Sequence, residues 1–252
     1  MNAIIIAAGS GKRISNEVKN TPKSLVKING KEIIEYQLEV LKQAKIEKIF
    51  VITGPNSEKF YLDNVTYVKD ENYIEHDILG SLMEAKNFIK NDVLILYSDI
   101  IFEFKILQQI LNSKKDISIA IDMDWEKMYV GRTEHPIVEA ENVQLNNNNQ
   151  IIKIQKNIER QNKNIGEFLG IVKLSPKGSK IFVEKFNELV ENHVGSFHQA
   201  PSLSKAYITD MIQEFIDSNI DVEPILISGK WCEIDTMQDL KNAEKIFPNH
   251  VC

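Results

Sequence analysis

The N-terminal stretch Met1–Leu25, MNAIIIAAGSGKRISNEVKNTPKSL, decides how the chain reads. The apolar, largely β-branched run Ala3–Ala8 has the length and composition of a strand covered on both faces, as the first strand of a parallel sheet must be. It stops at Gly9-Ser10-Gly11, continues through Lys12 and Arg13, and reaches Thr21-Pro22-Lys23 after a polar loop. Ala7 and Ala8 are small at the carboxyl end of the run, where a planar group such as a base can approach the backbone. Gly9 and Gly11 permit dihedrals and close approach that a Cβ forbids, so the amides of Gly9, Ser10 and Gly11 can point at phosphate oxygens. Arg13 adds a planar cationic fork and Lys23 a mobile point charge.

Spacing excludes two familiar glycine loops. A Walker loop needs a further glycine where Ile6 stands and a Ser or Thr where Arg13 stands. A dinucleotide fingerprint needs its third glycine where Ile14 stands. A plain glycine turn is the bland alternative, and the succession of Arg13, Pro22-Lys23 and Leu25-Val26 weighs against it.

The runs A-A-G-S-G-K-R-I and T-P-K-S-L-V-K-I-N-G-K-E-I-I-E-Y-Q-L resemble the opening of the nucleotidyltransferases that join a nucleoside triphosphate to a sugar phosphate or another small phosphorylated acceptor. The resemblance implies a GT-A-like fold, with the glycine loop and Arg13 holding the triphosphate and Lys23 contacting phosphate at the reacting centre. Ser15–Asn20 departs from the family's frequent proline and leucine, so no contacts carry over there.

The 252 residues suffice for one large α/β domain or two small ones, and the 43% hydrophobic and 26% charged composition is ordinary for a globular protein. A net charge of −6 argues against a nucleic-acid partner, whose footprint is usually basic and clustered. No apolar run approaches the roughly 20 residues that span a bilayer, and Met1 leads straight into a strand without a signal-peptide pattern. Cys232 and Cys252 form neither a disulfide framework nor a zinc motif. The expectation is a cytoplasmic enzyme without a membrane partner, with a homodimer left open.

Along the chain, helices are expected at Glu32–Lys45, Gly80–Lys90, Phe104–Asn112, Pro176–Asn192, Tyr207–Ser218 and Thr236–Phe247. Strands are expected at Ile49–Thr53, Val65–Val68, Val93–Tyr97, Ile117–Ile121, Glu167–Leu174 and Val222–Ile227. Asn142–Leu145 and Ile151–Gln155 flank Asn146–Asn149 and read as a hairpin, because Asn tolerates left-handed turns. The alternation calls for one Rossmann-like α/β domain over 1–252, with a mixed, largely parallel sheet flanked by helices. Residues 1–123 read as its nucleotide half and 124–252 as its acceptor half with a closing metal motif.

Asp99 lies just past the strand Val93–Tyr97, where ligands of open α/β sheets collect; an Asp after a strand is also an ordinary turn former or cap. In Trp231-Cys232-Glu233-Ile234-Asp235, alternation puts Glu233 and Asp235 on one face, which suits carboxylate ligation of a metal, while Asp235 or Thr236 equally caps the helix that follows. W-C-E-I-D-T-M-Q-D-L resembles the closing motif of the family, which implies Mg2+, with Mn2+ as a substitute, on Asp99 and Asp235 and less securely on Glu233.

Gly80-Ser81-Leu82 is read as a helix start, suited either to an anion or base or to a serine N-cap; the resemblance assigns it to the nucleotide. The resemblance also turns Lys156 toward the acceptor phosphate. Asp122–Arg132, followed by Glu139-Ala140-Glu141, resembles a subgroup that activates phosphonates or phosphocholine-like acceptors with CTP. Trp125 and Tyr129 would then cage the acceptor and Arg132 grip its acid group, or the aromatics are core and Arg132 is a surface residue. The five histidines form no motif and read as structural or exposed.

The sequence thus predicts a magnesium-dependent nucleotidyltransferase that joins CTP to a small phosphorylated or phosphonate acceptor with release of pyrophosphate. The alternatives are a sugar-1-phosphate nucleotidyltransferase using UTP or dTTP and a catalytically silent nucleotide-binding regulatory domain.

Overall fold

The computed structural model describes residues 1–9, 21–159 and 164–248. In chain order the strands are β1 (Asn2–Ala7), β2 (Lys27–Ile28), β3 (Lys31–Glu32), β4 (Lys48–Thr53), β5 (Val65–Lys69), β6 (Val93–Tyr97), β7 (Ile100–Phe102), β8 (Ile117–Asp122), β9 (Glu141–Leu145), β10 (Ile151–Lys156), β11 (Ile165–Leu174), β12 (Glu223–Leu226) and β13 (Trp231–Glu233). The helices are α1 (Ile33–Gln43), α2 (Ile78–Glu84), α3 (Phe104–Leu111), α4 (Pro176–Asn192), α5 (Ile208–Asp217) and α6 (Met237–Ile246).

β1 is central because it can bury both faces. Ile4 and Ile6 join the apolar core that includes residues of α2, α4 and α5, while Ala3, Ile5 and Ala7 join the opposite core built with α1 and α3. Parallel partners β4 and β6 flank it, β5 extends the β4 edge, and β12 runs parallel to β8. The antiparallel strands are β11, against β6, β8 and β9, and β10, against β9. The result is one α/β domain with a mixed, mostly parallel nine-stranded sheet. Among the described residues no helix is long and apolar enough to cross a membrane.

The long strand β11 opens the cleft. Its C-terminal half, from Ile171, pairs with β6, whereas Ile165–Glu167 pairs with β9 on that same edge. The register to β8 breaks between Phe168 and Val172, where Gly170 takes φ +68°. A Cβ on Gly170 would stand 2.4 Å from Cγ of Tyr97, so the glycine lets the tyrosine ring lie across the bulge at the end of β6.

The remaining sheet sets the far wall. β13 pairs antiparallel with β7, Glu233 opposite Ile100, and the Ile234 N–H donates to the Asp99 carbonyl at 2.9 Å. The buried Gln37 of α1 donates through Nε2 to the carbonyls of Tyr97 and Ile100, both at 2.7 Å, and so pins the turn that carries Asp99.

Helix α4 spans the residues expected, started by Ser175, whose Oγ accepts from the Gly178 N–H, and by Pro176 in its first turn. The Asn146 side chain accepts from the N–H groups of Asn148 and Gln150 and closes the predicted hairpin. The helix expected at Gly80–Lys90 begins earlier, with Asp77 as N-cap, and gives way to a short 3-10 turn at Lys86–Phe88. β7 and the two-residue pair β2–β3 were not expected, because runs so short carry no periodicity to read.

Gly170→Ala combines a left-handed φ with a clash against an aromatic ring. It is expected to destabilise the fold by about 1–3 kcal/mol, measured by denaturant unfolding, as overpacked sites do.

Candidate active site

Three separated segments meet on one ammonium. Lys23, in a short 3-10 turn after Pro22, donates through Nζ to Asp99 Oδ2 at 2.7 Å and to Asp235 Oδ1. Burial disfavours the charged lysine, but Asp99, Asp235 and then Glu233 outweigh it and hold the ammonium well above its ordinary pKa. Asp235 in turn contacts His135, with Nδ1 at 2.9 Å from Oδ2. Burial favours its protonated form, and the His135 hydrogen bond with the Lys23 charge overcomes this, so Asp235 stays ionised well below the carboxylate range.

The question of whether Asp235 or Thr236 caps α6 resolves into two roles. Thr236 is the N-cap and exchanges hydrogen bonds with Asp239, which leaves the Asp235 carboxylate for Lys23 and His135. Glu233 is pushed up to about 7, by burial first and then by the charges of Asp235 and Asp99.

These residues fit a divalent cation. Asp99 Oδ1 is buried and has no hydrogen-bond partner among the described residues. Donor atoms of His135, Glu233 and Asp235 lie within 4.8 Å of one another. Three carboxylates face the single ammonium of Lys23, and a hard cation with oxygen ligands would relieve that excess.

Two cavities meet at this centre. One, of about 350 Å3, is lined by Ala7, Ala8, Gly9, Lys23, His76 and Ser81 among others. The second, of about 400 Å3, shares Gly9, Lys23 and Asp99 and continues to Glu139, Glu141, Lys156, Glu167 and Tyr207. Lys156 lines this cavity, with Nζ at 3.3 Å from Glu139 and 4.4 Å from the centre of the Tyr207 ring. Ser10, Gly11 and Arg13 lie outside the described residues.

Other expectations are corrected. Trp125 does not face the cavity: it is 2% exposed, packs edge-on to Tyr129, and donates its indole N–H to the Ile165 carbonyl at 3.0 Å. Burying so large a ring stabilises the fold more than exposing it in a loop would. Tyr129 is also buried, its hydroxyl donating to Glu167 Oε1 at 2.6 Å. Arg132 is not a surface residue: its side chain is buried against two acidic groups of the chain. Its Nε donates to Asp239 Oδ1 at 2.7 Å, a terminal nitrogen lies 3.5 Å from Glu233, and the guanidinium lies over the Tyr129 ring. Gly80 and Ser81 do not open α2; the Ser81 N–H donates to the Asp77 carbonyl and its hydroxyl to Asp70.

Residues missed in the sequence include His135, Glu167, Tyr97 and Tyr207. His135 carried no spacing signal, and its 5% exposure beside Asp235 is set by the fold. Tyr97 had a signal: it ends an apolar strand immediately before Ser98-Asp99.

The chain is 29% identical over 252 aligned residues to CTP:phosphoglutamine cytidylyltransferase of Campylobacter jejuni, covering 96% of this chain and 98% of that protein. It is 31% identical across its whole length to the bifunctional protein GlmU of Methanococcus maripaludis, of which it spans 55%, about half. Among solved structures, CTP:phosphocholine cytidylyltransferase from Streptococcus pneumoniae shares the fold at TM-score 0.71 and 22% identity, over 97% of this chain and 98% of that one. The family model of the MobA-like NTP transferase domain matches residues 3–147. With that match lying on β1, Lys23 and Asp99, the chain is a nucleotidyltransferase and belongs to the MobA-like NTP transferase domain family.

Proposed function

We propose that the chain transfers the cytidylyl group of CTP to a small phosphorylated or phosphonate acceptor and releases pyrophosphate. The observation that carries this reading is the Lys23 ammonium between Asp99 and Asp235, at the junction of the two cavities. The CTP-using relatives support the choice of base. Lys156 and Glu139 on the walls of the larger cavity support a small charged acceptor over a sugar.

An acceptor phosphate or phosphonate oxygen attacks the α-phosphorus, its new P–O bond forms as the bond to the β-phosphate bridging oxygen breaks, and pyrophosphate departs with that electron pair. The acceptor is already anionic, so no general base is required, and catalysis rests on positioning and charge neutralisation. Lys23 neutralises charge gathering at the α-phosphate, and Lys156 steadies the acceptor phosphate. His135 holds Asp235 in place. Asp99, Asp235 and Glu233 would hold magnesium, with manganese as a substitute, which when bound supplies charge neutralisation between triphosphate and acceptor. A silent regulatory domain would have no need to bury an ammonium among three carboxylates.

Pyrophosphate release with magnesium, each nucleoside triphosphate in turn, and a set of phosphonates, phosphoalkyl compounds and sugar 1-phosphates tests the reading. Release with CTP and a small charged acceptor is expected; release only with UTP or dTTP and a sugar phosphate would overturn it. In the productive pair, Lys23→Ala is expected to lower kcat by ~10²–10³, the usual scale for a lost transition-state charge contact. Unchanged turnover would remove Lys23 from the mechanism.

Glu141 generates a pH prediction. Withdrawal from water is the main cause that pushes its carboxyl up to about 8, with Lys156 opposing. The native state then keeps a proton that the unfolded chain has lost, so this group subtracts stability as pH rises from about 4.5 to 8. Glu141→Gln abolishes that dependence. Thermal melts should therefore show the variant gaining on the parent between pH 5 and pH 8, by up to about 1.4 kcal/mol per unit; a constant difference would place Glu141 in water.

A further inference from the structure

The smaller cavity holds a polar cluster that the transfer chemistry leaves unused. Asp70, directly after β5, is 0% exposed, yet both its oxygens are occupied. Oδ1 accepts from the Asn72 N–H at 2.9 Å and lies 3.0 Å from Nδ1 of His76; Oδ2 accepts from the Ser81 hydroxyl at 2.7 Å. With Oδ1 already accepting from a backbone amide and Oδ2 from a hydroxyl, Asp70 faces the imidazole as an acceptor and Nδ1 of His76 is the donor between them.

Gly80 completes the clamp. A Cβ on Gly80 would stand 2.8 Å from His76 Cγ and 2.9 Å from Cδ2, so the missing side chain makes room for the ring. Gly80 thus makes room for the ring, Asp70 holds its Nδ1, and Ser81 holds Asp70. With Nδ1 committed to Asp70, Nε2 is the only polar atom the ring can offer, and it has no hydrogen-bond partner among the described residues. His76 lines the cavity that Ala7, Ala8 and Gly9 also line.

We propose that His76 reads the base, its Nε2 accepting a hydrogen bond from the exocyclic 4-amino group of cytosine, with Asp70 as the positioning residue that fixes the tautomer. This inference rests on the cytidylyl reading and goes one step further, to the atom that separates CTP from UTP. Uracil presents a carbonyl where cytosine presents the amine, so two acceptors would face each other in a site withdrawn from water, each without a donor. The same cluster is a poor cation site: Asp70 already accepts from Asn72 and Ser81, and Glu84 lies 3.9 Å from Nδ1, the nitrogen that carries the proton.

Calorimetric titration with CTP and with UTP, in magnesium and without acceptor, separates this inference from the reading beneath it. The parent is expected to bind CTP at least about tenfold more tightly than UTP. His76→Phe keeps a planar ring without an acceptor and should weaken CTP by about 10–100-fold while leaving UTP within about twofold, so that the preference collapses. Should the phenylalanine prevent folding, Asp70→Asn keeps the shape but cannot accept from Asn72, Ser81 and Nδ1 as the carboxylate does; it should lower the CTP-over-UTP ratio, which a purely structural role would leave alone. Folded variants that keep the parental ratio overturn the role of His76 and leave the cytidylyl reading standing. A parent that binds UTP as well as CTP overturns that reading and this assignment together.

Discussion

The contact between Lys23 and the carboxylates of Asp99 and Asp235 ties the site together. It joins the turn after Pro22, the end of β6 and the segment after β13, so the cluster exists only when the whole sheet has formed. Taking an ammonium and several carboxylates out of water is costly, and an isolated ion pair there would add little stability. What distinguishes this cluster is its imbalance. One ammonium faces Asp99, Asp235 and Glu233; burial and the neighbouring anions raise Glu233 to about 7, and Asp99 Oδ1 has no donor among the described residues. A site that stores unsatisfied negative charge around a lysine is prepared for a cation and for the phosphates that accompany it.

Support for that cluster comes from the residues packed around it. Gln37 pins the turn bearing Asp99 with two hydrogen bonds from one amide nitrogen. Thr236 and Asp239 form the cap that holds the start of α6, and Asp239 also holds Arg132, whose guanidinium lies near Glu233. His135 fixes the second oxygen of Asp235. Each freezes a carboxylate in place before substrate arrives, which is how a centre working by charge positioning lowers its barrier.

Legibility in the sequence follows the range of the interaction. Ala3–Ala8, Pro176–Asn192 and the asparagine hairpin were readable because strand burial, helix capping and Asx turns act within a few residues. Lys23, Asp99 and Asp235 were readable because each sits at the end of such an element. His135, Glu167 and the bulge at Gly170 were not, since their places depend on which strands pair, and β11 changes partner halfway along. Trp125 and Tyr129 misled for a related reason: aromatic residues in an irregular segment read alike whether they face a ligand or a core, and only the site of the Ile165 carbonyl and the Glu167 carboxylate decides between them.

The same logic explains why the nucleotide is easier to assign than the acceptor. Residues 3–147, where the family model matches, carry β1, Lys23, the Asp70–His76 pair, Asp99, Glu139 and Glu141, whereas Glu233 and Asp235 lie beyond it. The larger cavity also draws Lys156 from β10, Glu167 from β11 and Tyr207 from the start of α5, all beyond that match. Glu167 lies where β11 still pairs with β9, just before the strand changes partner. Both cavities thus draw on residues from each side of that boundary, and the cluster around Lys23 is where the two parts of the chain join.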